Sequence, residues 1–358
     1  MTASTIPPDL IPFFTMPLTF SSLVVESTNR CNARCGMCYQ SAGPKGSDWA
    51  GKRSLSVPEI EKVLREAVQI PSLNRRFHLS GGEAFLDIEG TVHLFEVAAE
   101  AGFLDITAVT NAFWARPAAR ARALTRRIRA AGVTSLEISW TYWHSQHVAA
   151  EAVSNALEAC RDAGIETNLR VLTTRSHSIE EALSLLRPEA AECATRITSG
   201  PVFATGRAAV ELDPADLWQT RGSLDESCHS VLNLTVNALG NVFPCCAGID
   251  QTDTFLFGNI RELSIVDIAE RMNRSPVVRL IVFRGIRSLV PILTEAGIDI
   301  GDNFNNICHM CWSIFSRKEN AQAIDAWFER AALRNIERVV RLLESEAAEA
   351  PEEVPEHV

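Results

Sequence analysis

The chain has 358 residues, 46% of them hydrophobic, and a formal net charge of -10, with a sequence pI near 5.4. That length allows one large domain, or one domain with an appendage, and the acidic balance argues against a nucleic-acid partner, which demands a basic face. No apolar run is long enough to span a bilayer, and Met1–Phe20 lacks the basic start and apolar stretch of a targeting segment, so the sequence reads as cytoplasmic with no membrane partner.

In chain order, Ser22–Glu26 reads as a strand that ends just before Cys31. Ser56 as N-cap, Pro58 in the first turn and Ile60, Val63, Leu64 and Val68 on one face predict a helix over Val57–Gln69. Phe77–Leu79 is a short expected strand, followed by a helix over Thr91–Ala101 closed by Gly102. Strands at Ile106–Thr110, Ser135–Ser139, Thr167–Leu172 and Arg196–Thr198 alternate with helices at Pro117–Ala131, Val148–Ala163 and Ile179–Leu186.

These form roughly six βα units, which imply parallel strands joined by crossover helices. Six units are too few for a closed eight-stranded barrel, so the expected fold is α/β, a curved and incomplete barrel. Its chemistry is expected at the carboxyl ends of the strands. After about Gly206 the pattern changes. Leu232–Asn237 and Asn241–Phe243 flank Ala238-Leu239-Gly240 as a hairpin, and helices are expected at Ser264–Met272, Pro276–Phe283 and Lys318–Glu346. The expected division is 1–21 as an N-terminal segment, 22–205 as the barrel, 206–315 as a second, cysteine-bearing domain, and 316–358 as a C-terminal helix with an acidic tail.

Cytosolic thiols stay reduced, so the ten cysteines are expected at metal rather than in disulfides. Cys31, Cys35 and Cys38 have the spacing C-x-x-x-C-x-x-C and are followed by Tyr39. Three thiolates in one loop can hold one soft metal centre and leave one iron of a four-iron cluster without a protein ligand. A structural zinc site, and with it a zinc-binding interaction module, is the alternative; it wants a fourth Cys or His nearby, and none lies in the immediate loop. Cys228, Cys245, Cys246, Cys308 and Cys311 form a second group, while Cys160 and Cys193 read as core thiols.

The cysteine loop after a first strand resembles the signature of the radical S-adenosylmethionine (SAM) superfamily, and Ser80-Gly81-Gly82-Glu83 after the second strand resembles that family's Gly-Gly-Glu motif. The resemblance implies a partial (βα)6 TIM-like barrel and a [4Fe–4S] cluster on Cys31, Cys35 and Cys38. It implies SAM bound at the open iron and cleaved to a 5′-deoxyadenosyl radical that abstracts hydrogen from substrate. It also implies SAM contacts from Tyr39, through its backbone, and from Gly81, Gly82, Glu83, Asn111, Ser139 and Arg170. Many relatives carry an Asp near Thr141; this chain does not, so no proton-transfer role follows there.

Cys228, the Gly240–Cys245 spacing and Cys308-His309-Met310-Cys311, read as scattered loops, resemble the SPASM/twitch extension, as does the preceding Gly206-Arg207-Ala208. That resemblance implies one auxiliary [4Fe–4S] cluster on Cys228, Cys245, Cys308 and Cys311, with no further cysteines for a second. The roles of Cys245 and Cys246 could be exchanged. Cys246, left over, is the expected hydrogen-atom donor, as in radical SAM epimerases. The implied function is peptide modification of the epimerase type in natural-product biosynthesis. A dehydrogenase or epimerase of a small molecule such as a sugar or aminocyclitol is the alternative. The expected partners are that substrate and an electron donor such as flavodoxin or ferredoxin.

Overall fold

The computed structural model describes residues 16–219, 227–245 and 254–332. Among these described residues nine strands make one sheet: β1 (Ser22–Glu26), β2 (Arg76–Ser80), β3 (Asp105–Thr110), β4 (Val133–Ser139), β5 (Glu166–Thr173), β6 (Arg196–Pro201), β7 (Asn233–Val236), β8 (Asn241–Phe243) and β9 (Gly258–Asn259). Their order is β6-β5-β4-β3-β2-β1-β7-β8-β9. The first six pair in parallel, each beside its predecessor. Every crossover therefore steps the same way, which rolls a sheet toward a barrel; a doubly wound sheet reverses direction.

The crossovers are α1 (Val57–Ala67), α2 (Ile88–Ala101), α3 (Ala118–Ala130), α4 (Ala150–Ala163) and α5 (Ile179–Ser184). In α1, Ile60, Val63, Leu64 and Ala67 recur at helical spacing and are all buried. They pack with alternate strand residues, including Leu23, Phe77, Ile106, Leu136 and Leu169, in one continuous core. The residues between these alternate strand positions face the other side.

That other side is polar. His78 Nδ1 lies 2.7 Å from Thr107 Oγ1, Asn168 Nδ2 donates to Glu137 at 3.0 Å, and Thr198 Oγ1 donates to Asn168 Oδ1 at 2.9 Å. A closed barrel of this kind fills its interior with branched apolar side chains. Here the concave face instead lines a cavity with His78, Glu137, Asn168 and Arg196 among its walls.

The second region is not set apart from the barrel. Strand β7 runs parallel to β1, with Ser22 opposite Asn233 and Val25 opposite Val236. β8 and β9 then extend the same sheet antiparallel. Helices α6 (Ile265–Arg274), α7 (Pro276–Arg284), α8 (Val290–Glu295) and α9 (Ile307–Phe315) follow, and a further helix covers 318–332. Val278, Ile281, Leu289, Leu293 and Ile314 build a separate core with Leu18 and Phe243. No helix among the described residues is long and apolar enough to cross a membrane.

Candidate active site

The loop after β1 carries Cys31 and Cys35, both buried, and Cys38, half-buried. Cys38 N donates to Cys35 O at 3.2 Å, closing a tight turn, and Cys31 N donates to Gly43 O at 3.0 Å. Burial pushes the Cys35 thiol up to about 12 and Cys38 also upward. Cys31 is driven higher still, by burial first and then by Glu83, Cys38 and Cys35. The three sulfurs therefore share one desolvated space, and metal coordination removes their protons outright. Among the described residues no group of three or more Cys, His, Asp or Glu converges as for one metal ion. An iron–sulfur cluster takes each thiolate on a different iron, and three mutually repelling thiolates, two buried and one half-buried, suit it.

Gly81, Gly82 and Glu83 follow β2, against this loop. Gly82 N donates to Thr28 O at 2.6 Å and Glu83 N to Arg30 O at 2.8 Å. Gly81 adopts φ +133. The glycines thus serve first to let two chain segments touch, whereas the sequence alone assigns them to a ligand. The Glu83 carboxyl accepts from Phe85 N at 3.2 Å, Thr110 Oγ1 at 2.9 Å and Asn111 N at 2.8 Å. Burial still raises it to about 7, against the lowering effect of those bonds. An adjacent ammonium would hold it as carboxylate.

The remaining SAM candidates sit at successive strand ends. Asn111, past β3, donates to Asn32 Oδ1 at 2.9 Å and lies 3.7 Å from Cys31 Sγ. Ser139 ends β4 and pairs in register with Arg170 of β5. A Cβ on Gly200 would lie 3.0 Å from the Arg170 guanidinium, which places that group against β6. Tyr39 directly follows Cys38 and is half-buried.

Two elements close over the cysteine loop. A short helix, Tyr142–Ser145, brings Trp143, 7% exposed, over the loop, with Trp143 O 3.8 Å from Cys35 Sγ. Its His144 is buried against Thr141, Nδ1 to Oγ1 2.9 Å. The other element is Arg207, whose guanidinium binds the carbonyls of Cys35, Ser41 and Ala42. The Gly-Arg-Ala triplet is the signal in the sequence; its partner, the cysteine loop, lies some 170 residues earlier and no local pattern identifies it.

Cys228, Cys245, Cys308 and Cys311 line one pocket whose other walls are largely Val and Ile. Cys308 and Cys311 lie three apart on α9, which puts both on one helix face rather than on a loop. Burial raises Cys311 well above an ordinary thiol, with Cys308 and Cys228 adding to the rise. Four thiols around an apolar void suit a buried cluster. Cys245 follows β8, which runs down from the turn, so this group lies toward the amino ends of β1 and β7. Cys246 lies outside the described residues. Cys160 is fully buried in α4, and Cys193 Sγ takes a 2.9 Å contact from Arg161.

Two family models match the chain, one over each cysteine group. The family model of the radical SAM superfamily matches residues 25–187, and that of SPASM, an iron–sulfur cluster-binding domain, matches residues 228–312. YydG of Bacillus subtilis (strain 168), named for peptide biosynthesis, is 24% identical over 318 residues, 86% of this chain and 95% of that one. A GTP 3′,8-cyclase of Mycobacterium sp. (strain KMS) is 31% identical over 181 residues, 47% of each chain, so only about half of that relative is spanned. The solved structure of native anSMEcpe with bound AdoMet and Cp18Cys peptide superposes with a TM-score of 0.52 at 13% identity, covering 86% of this chain and 98% of that one. Its likeness is one of fold. The cofactors implied are SAM, a [4Fe–4S] cluster and auxiliary iron–sulfur chemistry, and zinc gives way to iron. The chain carries a radical SAM domain over residues 25–187 and a SPASM iron–sulfur cluster-binding domain over residues 228–312.

Proposed function

We propose that this radical SAM enzyme epimerises a residue of a ribosomally made peptide, with Cys246 as the hydrogen donor. The similarity to YydG, which runs through barrel and extension alike, is the observation that carries the peptide reading. Cys31, Cys35 and Cys38 would hold the first cluster, and Cys228, Cys245, Cys308 and Cys311 the auxiliary one. Tyr39, Gly81, Gly82, Glu83, Asn111, Ser139 and Arg170 would hold SAM. Held by these residues, the cluster and SAM would supply hydrogen-atom abstraction from the substrate.

The chain's own residues set the fate of the substrate radical. The cover of Trp143 keeps water from the cysteine loop. The polar concave face, with His78, Glu137 and Asn168, offers hydrogen-bond partners to a peptide backbone. The Cys246 Sγ–H returns one hydrogen atom to the substrate carbon. The sulfur then regains a proton from solvent and one electron from a flavodoxin- or ferredoxin-type donor.

The test is co-expression, in deuterated water, with a short precursor peptide, to be sought beside the gene. Epimerisation places deuterium at one α-carbon. Cys246→Ala should still form 5′-deoxyadenosine but leave the peptide unepimerised, whereas Cys35→Ala should form none. Full epimerisation by Cys246→Ala would remove the donor role. A peptide left unmodified would favour the second reading, a dehydrogenase or epimerase of a small molecule, which draws on the likeness of the barrel to a relative named for GTP, a small molecule.

A further inference from the structure

Arg207 is the most deeply buried cation beside the cysteine loop, its side chain 1% exposed. Burying a guanidinium is costly unless it is paired and fully hydrogen-bonded. Here four of its five N–H groups are used. Nη1 donates to Cys35 O at 2.9 Å, Nη2 to Ser41 O at 2.6 Å and Ala42 O at 2.9 Å, and Nε to Asp48 Oδ2 at 2.7 Å. Its backbone N donates to Cys38 O at 3.0 Å. Neutral donors would satisfy three carbonyls equally well, so the charge itself calls for a reason.

The network has a direction. The cation faces inward, onto the segment that holds Cys35 and Cys38. Its counter-charge faces outward: the Asp48 side chain is 46% exposed and also pairs with Arg34 at 3.3 Å. Glu211 stands further off, 3.9 Å from Arg207, and is held mainly by Arg34 at 2.7 Å. Solvent screens the outer carboxylates more than the buried guanidinium.

We propose that Arg207 tunes the reduction potential of the cluster on Cys31, Cys35 and Cys38, holding it high enough for a protein donor to reduce, with Asp48 as the counterweight. One-electron reduction adds negative charge to the cluster, and a fixed buried cation stabilises the reduced form. Arg207 is a positioning residue for the loop and an electrostatic one for the cluster. The proposal rests on the cluster assignment made above.

The experiment is a redox titration of the anaerobically reconstituted full chain, followed by electron paramagnetic resonance. R207Q should lower the midpoint by about 59 mV, a tenfold change in the reduced-to-oxidised ratio at fixed potential. D48N, which frees Arg207 of its main counter-charge, should raise it. R207K keeps the charge and loses the planar fork, so it should stay nearer the wild-type midpoint while holding less cluster. A purely structural clamp would lower cluster content without moving the two midpoints in opposite senses. Midpoints that stay put, or that move the same way in R207Q and D48N, overturn the proposal. If R207Q holds no cluster, an unmoved D48N midpoint overturns it alone. A wild-type chain that takes up no cluster would instead sink the underlying assignment.

Discussion

A methyl group added at Gly82 would run into the Arg30 carbonyl, and one at Gly81 would meet Thr28 O at 2.6 Å. Both obstacles are backbone atoms of the cysteine loop, so neither can swing aside. Gly82→Ala should therefore destabilise the fold by about 1–3 kcal/mol and lower iron content, because relief requires the loop to move. Thermal melting of the apoprotein and iron analysis after reconstitution check this; a variant with normal stability and full iron would contradict it. The same pair shows how sequence and structure divide the work. Gly-Gly-Glu is recognisable as a motif, but the neighbour that demands the glycines lies about 50 positions earlier. Glu83 is expected from the sequence to face a ligand, and its three bonds to Phe85, Thr110 and Asn111 show it also pins the end of β3 to the end of β2.

Two imidazoles, His144 buried and His78 half-buried, couple the barrel strands to pH. His78, on the concave face of β2, is lowered to about 4, by burial first and then by Arg76. His144, after β4, is lowered to about 4, again by burial first and then by His147. Each is neutral in the fold, whereas in the unfolded chain each binds a proton near pH 6.5. The unfolded state thus takes up more protons between those values, and stability falls as pH drops from about 6.5 toward 4. A full shift corresponds to roughly 3 kcal/mol for each residue. Melting temperatures of the wild type and of a His78→Asn, His144→Gln double variant, measured from pH 7.5 to 4, should converge at the acid end. Parallel curves would argue against this account.

Strand and helix placement is largely legible in the sequence, because the core alternation within strands and the 3.6-residue period within helices are local patterns. Asp105–Thr110 and Ala118–Ala130 fall within a residue of expectation. The helix carrying Cys308 and Cys311 is not legible: Ile307–Phe315 is short, and its capping signal, Asn306 accepting from His309 N at 2.9 Å, sits inside a run of polar residues. The pairing of β7 with β1 is equally hidden, since nothing local joins positions about 211 residues apart.

At the scale of the whole molecule, the barrel and its extension share one sheet. Without β7, strand β1 would become an open edge, with unpaired backbone groups beside the buried Leu23 and Val25. A fragment ending at residue 205 should therefore be aggregation-prone rather than an independent barrel. Its soluble yield and size-exclusion profile test this, and a monomeric, cooperatively melting fragment would refute it. The extension is also tied to α1. Arg261 donates to Glu59 at 2.7 Å and Ile265 N to Glu66 at 3.2 Å.

The shared edge of β1 and β7 has a thermodynamic corollary. β1 delivers the chain to one set of thiols, and its partner hairpin delivers it to the other. Filling either set favours the zipped strand pair, and by linkage whatever favours that pair tightens the second set by the same factor. Iron loading at the two ends is then cooperative, with half-filled molecules scarcer than independent sites would give.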